Sequence, residues 1–234
     1  MKKKNNNQMF VISVCVGIIV LIGALFFISK IQDKQAAQEF PKITGVNKVK
    51  VNGFNVDEQP TLGNKKSGIE VVEFGDYKCP VCSNWNKTVF PKIQTDYINT
   101  NQISFSFVNY PFISKDSNLA ALAGEVIYSY DPNAFWAFHH EIYKNQPEET
   151  KTWATKKYLT DLAKKVIPNL DEKKFQNDLY NKATMEKVAS DVAIGDHYNV
   201  QGTPTIFVNG KMAKDPSYDS IKAAIEEAKA SLKK

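Results

Sequence analysis

The chain of 234 residues contains no arginine: all of its 30 basic residues are lysines. The side chain best suited to bidentate phosphate or base-edge recognition is therefore missing. The formal net charge of +5 does not replace it, because Lys2, Lys3, Lys4 and Lys30 all flank one apolar run. Without those four, basic and acidic residues almost balance, so no nucleic-acid surface is expected. Histidine is as scarce, at 3 residues, and His139 and His140 are adjacent. Neighbours on a helix point about 100° apart and do not face one metal ion, so no metal site is expected. The acids are scattered without the spacing of an EF-hand loop, which leaves a structural calcium ion an open question. No internal repeat or separate dimerisation segment stands out, and a monomer is the default.

Cysteine is nearly absent too, with Cys15, Cys79 and Cys82 the only examples. Cys15 follows Val14, where a lipoprotein signal would carry a small residue, and reads as a small apolar residue of its run. The rest of the chain holds one pair. With 43% hydrophobic residues this chain can build an ordinary core and does not need disulfides to fold.

One long uncharged run is present, from Met9 to Ser29. At about 1.5 Å per helical residue it is long enough for a hydrocarbon layer of about 30 Å. Lysines on its N-terminal side predict a cytoplasmic segment over 1–8, a transmembrane anchor or signal segment over 9–29 and an external remainder. The run exceeds a usual signal core and lacks a clear small-x-small cleavage site, which favours an uncleaved single-pass anchor in the cell membrane. Residues 30–46 lack apolar periodicity and read as a tether, leaving 47–234 as an extracytoplasmic domain.

Within that domain, 48–51 and 69–74 read as strands, and 103–108 as another, with Ile103, Phe105 and Phe107 on one face. Helical spacing begins near Ser117 and returns through Phe135, Phe138 and Ile142, then Leu159 and Leu162, then Phe175 and Val188. This predicts three to five helices over about 116–196. A strand over 203–208, an Asn209-Gly210 hairpin turn and a final helix with Ile221 and Ile225 inside complete an α/β chain with a helical insertion.

The pair in Cys79-Pro80-Val81-Cys82 lies where a strand gives way to a helix. Pro80 suits a first helical turn, where a missing N–H is harmless. Cys79 then sits at the positive end of the helix, which lowers its pKa toward the thiolate, while Cys82, one turn on, is more buried. A purely structural disulfide fits poorly, because a four-residue loop constrains the unfolded chain little. Half a zinc site fits poorly too, since no second such pair exists.

The stretch Val71-Val72-Glu73-Phe74-Gly75-Asp76-Tyr77-Lys78-Cys79-Pro80-Val81-Cys82 resembles the strand and active-site segment of the DsbA family of thioredoxin-fold oxidoreductases, and within it the membrane-tethered BdbD-type proteins of Gram-positive bacteria. A second block, Val200-Gln201-Gly202-Thr203-Pro204-Thr205-Ile206-Phe207-Val208-Asn209-Gly210, is similar to the family's cis-proline loop and next strand. The resemblance covers about 50–234. Phe135-Trp136-x-x-His139 also resembles the family, although core packing accounts for it equally.

The resemblance implies a thioredoxin-like fold with a helical insertion and a redox-active Cys79–Cys82 disulfide that serves without a cofactor. It implies that Cys79 exchanges with substrate and Cys82 closes the disulfide. Thr203 and a cis Pro204 would meet an extended substrate, with Pro80 and Val81 lining the contact. Glu73 matches a buried acid that exchanges protons with the second cysteine, and an exposed strand position is the other reading of the same residue. Asp76, Tyr77 and Lys78 read as rim residues. Val81 departs from the His found there in the most oxidising members.

The function this implies is an extracytoplasmic enzyme that puts disulfides into exported proteins with cysteine pairs and is reoxidised by a DsbB- or VKOR-type membrane quinone reductase. The rival readings are a membrane-tethered reductase or isomerase, and a metal-binding or chaperone module on the same scaffold.

Overall fold

A computed structural model describes residues 6–43, 51 and 53–232, with side chains in the first helix described over 12–28. The chain divides into two compact units, Met1–Phe40 and Pro41–Lys234.

The described part of the first unit lies mostly in one helix, α1 (Asn6–Glu39), which takes in the expected tether as far as Glu39. Its apolar side chains stand exposed from Ile12 to Ile28. Among the described residues, however, no helix is long and apolar enough to cross a membrane.

The second unit is built on β1 (Thr61–Gly63), β2 (Glu70–Gly75), β3 (Ser104–Asn109), β4 (Thr205–Val208) and β5 (Lys211–Met212). They lie in the order β1-β3-β2-β4-β5. β2 and β3 run parallel, and the other neighbours are antiparallel. The central strands are buried on both faces, which is why 71–74 read as a nearly continuous apolar run instead of an alternating one. Asn209 and Gly210 both have positive φ, as the two central residues of a tight hairpin turn require.

Helix α2 (Pro80–Thr88) leaves β2, and α3 (Phe90–Ile93) follows it and passes into a π-helical turn, Gln94–Ile98. Five helices fill the interval before β4: α4 (Lys115–Tyr130), α5 (Pro132–Lys144), α6 (Lys156–Val166), α7 (Glu172–Asp178) and α8 (Lys182–His197). Helix α9 (Tyr218–Leu232) ends the chain with Ile221 and Ile225 buried. The α/β fold with its helical block follows the pattern the resemblance implied.

The two sheet faces have different linings. Val72, Phe74, Val108 and Phe207 pack with Ile194, Val200 and Phe54. On the other face, Phe105 meets Trp85, Phe90 and Trp136, and Phe107 meets Phe135 and His139. Glu73 stands beside Phe107 in the parallel register and shares this second face with α2 and α5.

Two expectations need amendment. β1 went unread because a three-residue edge strand carries too little alternation to register. Of the strand expected over 48–51, residues 48–50 lie outside the described residues, and Val51 is not in a strand.

Candidate active site

β2 ends at Gly75, and four residues later Cys79 is the N-cap of α2 in an extended conformation, with Pro80 in the first turn. The turn is fixed from several sides. Asp76 accepts the amide N–H of Lys78 at 2.8 Å, of Phe112 at 3.0 Å and of Ile113 at 3.1 Å. Gln146 Nε2 donates to the carbonyls of Tyr77 at 2.8 Å and Cys79 at 3.0 Å.

Cys79 and Cys82 are both free thiols. Cys79 Sγ donates to the Thr203 carbonyl at 3.2 Å, across 124 residues of sequence. The Thr203–Pro204 peptide is cis, and Pro204 is buried. The two blocks singled out in the sequence therefore face each other through the sulfur. Pro80 and Val81 lie on the surface beside it, with Val81 56% exposed.

The environment drives the two sulfurs apart in acidity. Cys79 is lowered to about 6, first by the hydrogen bond from Cys82 and next, against burial, by Thr203 and the amides of Cys82 and Val81. No strict capping bond to the neutral thiol is formed; the helix N–H groups act on the thiolate. Cys82 is pushed well above its ordinary value, by burial first, then by Cys79 and the charge of Glu73. The result is one thiolate and one protonated thiol at neutral pH. Thr203 Oγ1 lies close enough to favour both thiolates yet is buried without a well-aligned partner.

Glu73 is completely buried, and neither carboxyl oxygen has a hydrogen-bond partner. Burial, with the charge of Cys79 second, raises it to about 8. The exposed reading of this residue is thus set aside. Asp76, Tyr77 and Lys78 are not rim residues either, as all three are buried. Each has a reason to be inside. Asp76 serves three amides, and Tyr77 packs on Phe107 and Tyr143 and bonds His139 Nδ1 at 3.2 Å. Lys78 Nζ pairs with Asp116 at 2.9 Å and donates to the Lys151 carbonyl at 2.6 Å. His139 is core: burial holds it far below its ordinary pKa, hence neutral.

Several neighbours of the site escaped the sequence reading. Gln146 and Asp116 belong to the helical block, where nothing local marks a residue that reaches back to the cysteine turn. Tyr143 carried only a core-packing signal. Phe112 is 54% exposed beside Tyr110 on the segment held by Asp76, and an exposed aromatic after a strand was its one available sign.

Among the described residues, no three of His, Cys, Asp and Glu are gathered as metal ligands. The buried acids Glu125 and Asp191 are joined through Asn109 Nδ2, at 2.9 Å and 3.1 Å, and Gln59 bonds Asp191 at 2.7 Å. Neither acid is among the groups that act on the two sulfurs.

A mixed sheet that delivers one acidic thiol and one buried thiol to a cis-proline loop defines a thiol-disulfide oxidoreductase. A family model described as Thioredoxin matches residues 55–227. The disulfide bond formation protein D of Bacillus subtilis is 41% identical over 74% of this chain and 78% of its own length. A probable disulfide bond formation protein D of Bacillus anthracis is 37% identical over 97% of this chain and 98% of its own. The crystal structure of oxidised BdbD from Bacillus subtilis superposes with a TM-score of 0.70 at 40% identity, covering 74% of this chain and 94% of that one. The chain belongs to the thioredoxin family and, within it, to the DsbA-like proteins of the BdbD type.

Proposed function

We propose that the enzyme is an oxidase of exported proteins, working outside the membrane to which α1 anchors it. The observation that carries the chemistry is the opposite displacement of the two thiols, Cys79 to about 6 and Cys82 well upward. A thiolate that is stable at neutral pH is a good leaving group, so a disulfide containing Cys79 is readily exchanged.

In the oxidising direction a substrate thiolate attacks Cys79 Sγ, the Cys79–Cys82 bond breaks and its electron pair goes to Cys82. Glu73, protonated near neutrality, supplies the proton that Cys82 then holds. A second substrate thiolate attacks the mixed disulfide, the substrate disulfide closes and Cys79 leaves as thiolate. Two electrons have passed to the enzyme, and a membrane quinone reductase removes them. The Thr203 carbonyl, 3.2 Å from Cys79 Sγ, gives an extended substrate a backbone acceptor beside the sulfur. Pro80 and Val81 contribute the outer wall.

Anchoring is supported by the uncharged run Met9–Ser29 and by the lysines before it. Protease treatment of intact protoplasts should remove the domain from membrane-held protein. Recovery of the intact chain in the cytosol would sink this part.

Direction of electron flow is set by the potential. Lowering Cys79 from 9.0 to about 6 stabilises the dithiol at pH 7 by about 1.4 kcal/mol, or roughly 30 mV for two electrons. That is a fraction of the roughly 150 mV between thioredoxin and DsbA. Val81 is exposed and adds no side-chain donor to the thiolate. The deciding measurement is a redox titration of the full chain together with oxidation of a reduced protein by wild type and by Cys79→Ser. A potential near −200 mV or above, and no oxidation by Cys79→Ser, is expected; a value near thioredoxin's, about −270 mV, assigns the reductase role instead.

A further inference from the structure

Gly75 has an ordinary negative φ, so its backbone does not require glycine. Space does. A Cβ built there would stand 2.5 Å from Phe107 Cε2 and 3.0 Å from the Tyr143 hydroxyl. Glu73 lies two residues back on β2, and side chains two apart on a strand share one face. Gly75 therefore opens the floor beside Glu73, and the Phe107 ring and the Tyr143 hydroxyl share the opening.

Tyr143 is completely buried and its hydroxyl has no hydrogen-bond partner, the same condition as both oxygens of Glu73. A phenylalanine would pack as well without stranding a polar group, so the hydroxyl costs stability at this position. The charges that act on it come first from Cys82 and then from Glu73, followed by Tyr77 and Asp76. Its backbone is locked to the same helix turn, because Ser83, the residue after Cys82, donates its hydroxyl to the Tyr143 carbonyl at 2.8 Å. The other titratable groups around this pocket are Cys79 at the N-cap of α2 and His139 on α5, the latter bonded to Tyr77. One orphaned hydroxyl is thus set on the sheet face of one orphaned carboxyl and against the helix turn of one buried thiol, bonded to neither.

We propose that the Tyr143 hydroxyl relays the proton that Glu73 and Cys82 exchange, and that glycine at 75 leaves room for it beside the Phe107 ring. This rests on the proton-exchange reading of Glu73 given above. The Tyr143 hydroxyl is hydrogen-bonded to neither group in the dithiol form. As the Cys79–Cys82 bond breaks and charge gathers on Cys82, the hydroxyl closes on that sulfur, gives it its proton and takes the proton of the Glu73 carboxyl. The phenol is neutral before and after, the thiol is formed, and Glu73 is left as a carboxylate that solvent reprotonates before the next turnover. Burial holds the phenol far above its ordinary pKa, so no free tyrosinate takes part.

The test is single-turnover oxidation of a reduced dithiol peptide by the full-length disulfide form, followed across pH 5 to 10. Tyr143→Phe should slow the step about tenfold or more and Glu73→Gln at least as much. The double variant should be no slower than Glu73→Gln alone, since the two act as a unit. In mixtures of light and heavy water the wild-type rate should follow a curve, two protons being in flight, and the Tyr143→Phe rate a straight line, a signature that altered packing does not produce. A wild-type rate and pH profile in Tyr143→Phe would overturn the relay, as would losses that multiply in the double variant. A silent Glu73→Gln would instead overturn the proton-exchange reading itself, whatever Tyr143→Phe does. Should Tyr143→Phe not fold, 3-fluorotyrosine at 143 keeps the ring and makes the phenol more acidic: an altered rate supports the relay and an unchanged one overturns it.

Discussion

Two buried acids, Glu73 and Asp116, belong to the surroundings of the cysteine turn, and almost everything except burial distinguishes them. Asp116 accepts two hydrogen bonds from Lys78, at 2.9 and 3.0 Å, one from Ser114, and the amides of Trp153 and Ala154 at 3.0 Å each. Glu73 accepts none. Burial pushes both acids upward, but in Asp116 the bonds from Ser114, Lys78 and the two amides outweigh it and the pKa falls. In Glu73 nothing opposes it and the pKa climbs to about 8. A buried acid with every lone pair used is an anchor; one with none used is poised to exchange a proton.

If that contrast holds, the anchor is worth more to folding than the proton-exchanging acid. Asp116→Ala leaves the Lys78 ammonium buried without its partner, a loss of about 3 to 5 kcal/mol. Urea unfolding of the full chain should show it as a lower midpoint at unchanged slope. Removing Lys78 and Asp116 together, as Lys78→Met with Asp116→Leu, should cost less than Asp116→Ala alone. A larger cost for the pair would mean that Asp116 holds the turn through its amides more than through the ion pair.

The same contrast fixes two limbs of the stability profile. Asp116 is depressed in the folded state, so its contribution is present above an unfolded value of about 3.9 and is lost as pH falls through the folded one. Glu73 is raised, so its contribution is complete below about 4.3 and is lost as pH rises toward about 8. At pH 7 the penalty for Glu73 is on the order of 3 to 4 kcal/mol. Glu73→Gln should flatten the neutral-to-alkaline limb while leaving the acid limb in place, and should be more stable than wild type at pH 7. A slope retained in Glu73→Gln would transfer the alkaline limb to other groups, with Glu125 the first to test.

How much of this was readable beforehand follows from how far each interaction reaches. Cys79, Cys82, Pro80 and the Thr203-Pro204 block are defined by residue type and short spacing, so chemistry and place were both legible. The position of Glu73 was legible and its condition was not, because whether a carboxyl finds a partner depends on β3, α2 and α5 at once. Lys78 reads as a surface residue by its type; it is buried only because Asp116, 38 residues on, and the Lys151 carbonyl, 73 on, arrive to satisfy it. Tyr143 fits the apolar stripe of α5, and no periodicity distinguishes a hydroxyl placed for chemistry from a ring placed for packing.

Gln146 offers the smallest effect and the finest division between geometry and electrostatics at the turn. Its side chain bonds two carbonyls of the turn and neither sulfur. Gln146→Leu should therefore lose about 1 kcal/mol of stability for the released carbonyls, while the Cys79 thiolate, followed by its ultraviolet absorbance, titrates as in wild type. If the Cys79 titration moves as well, the shape of the turn sets the acidity of the thiol as much as its neighbours do. Asp76 and Asp116 would then act on the chemistry through the backbone, and the division between anchoring and proton-exchanging acids would be one of distance from the sulfur alone.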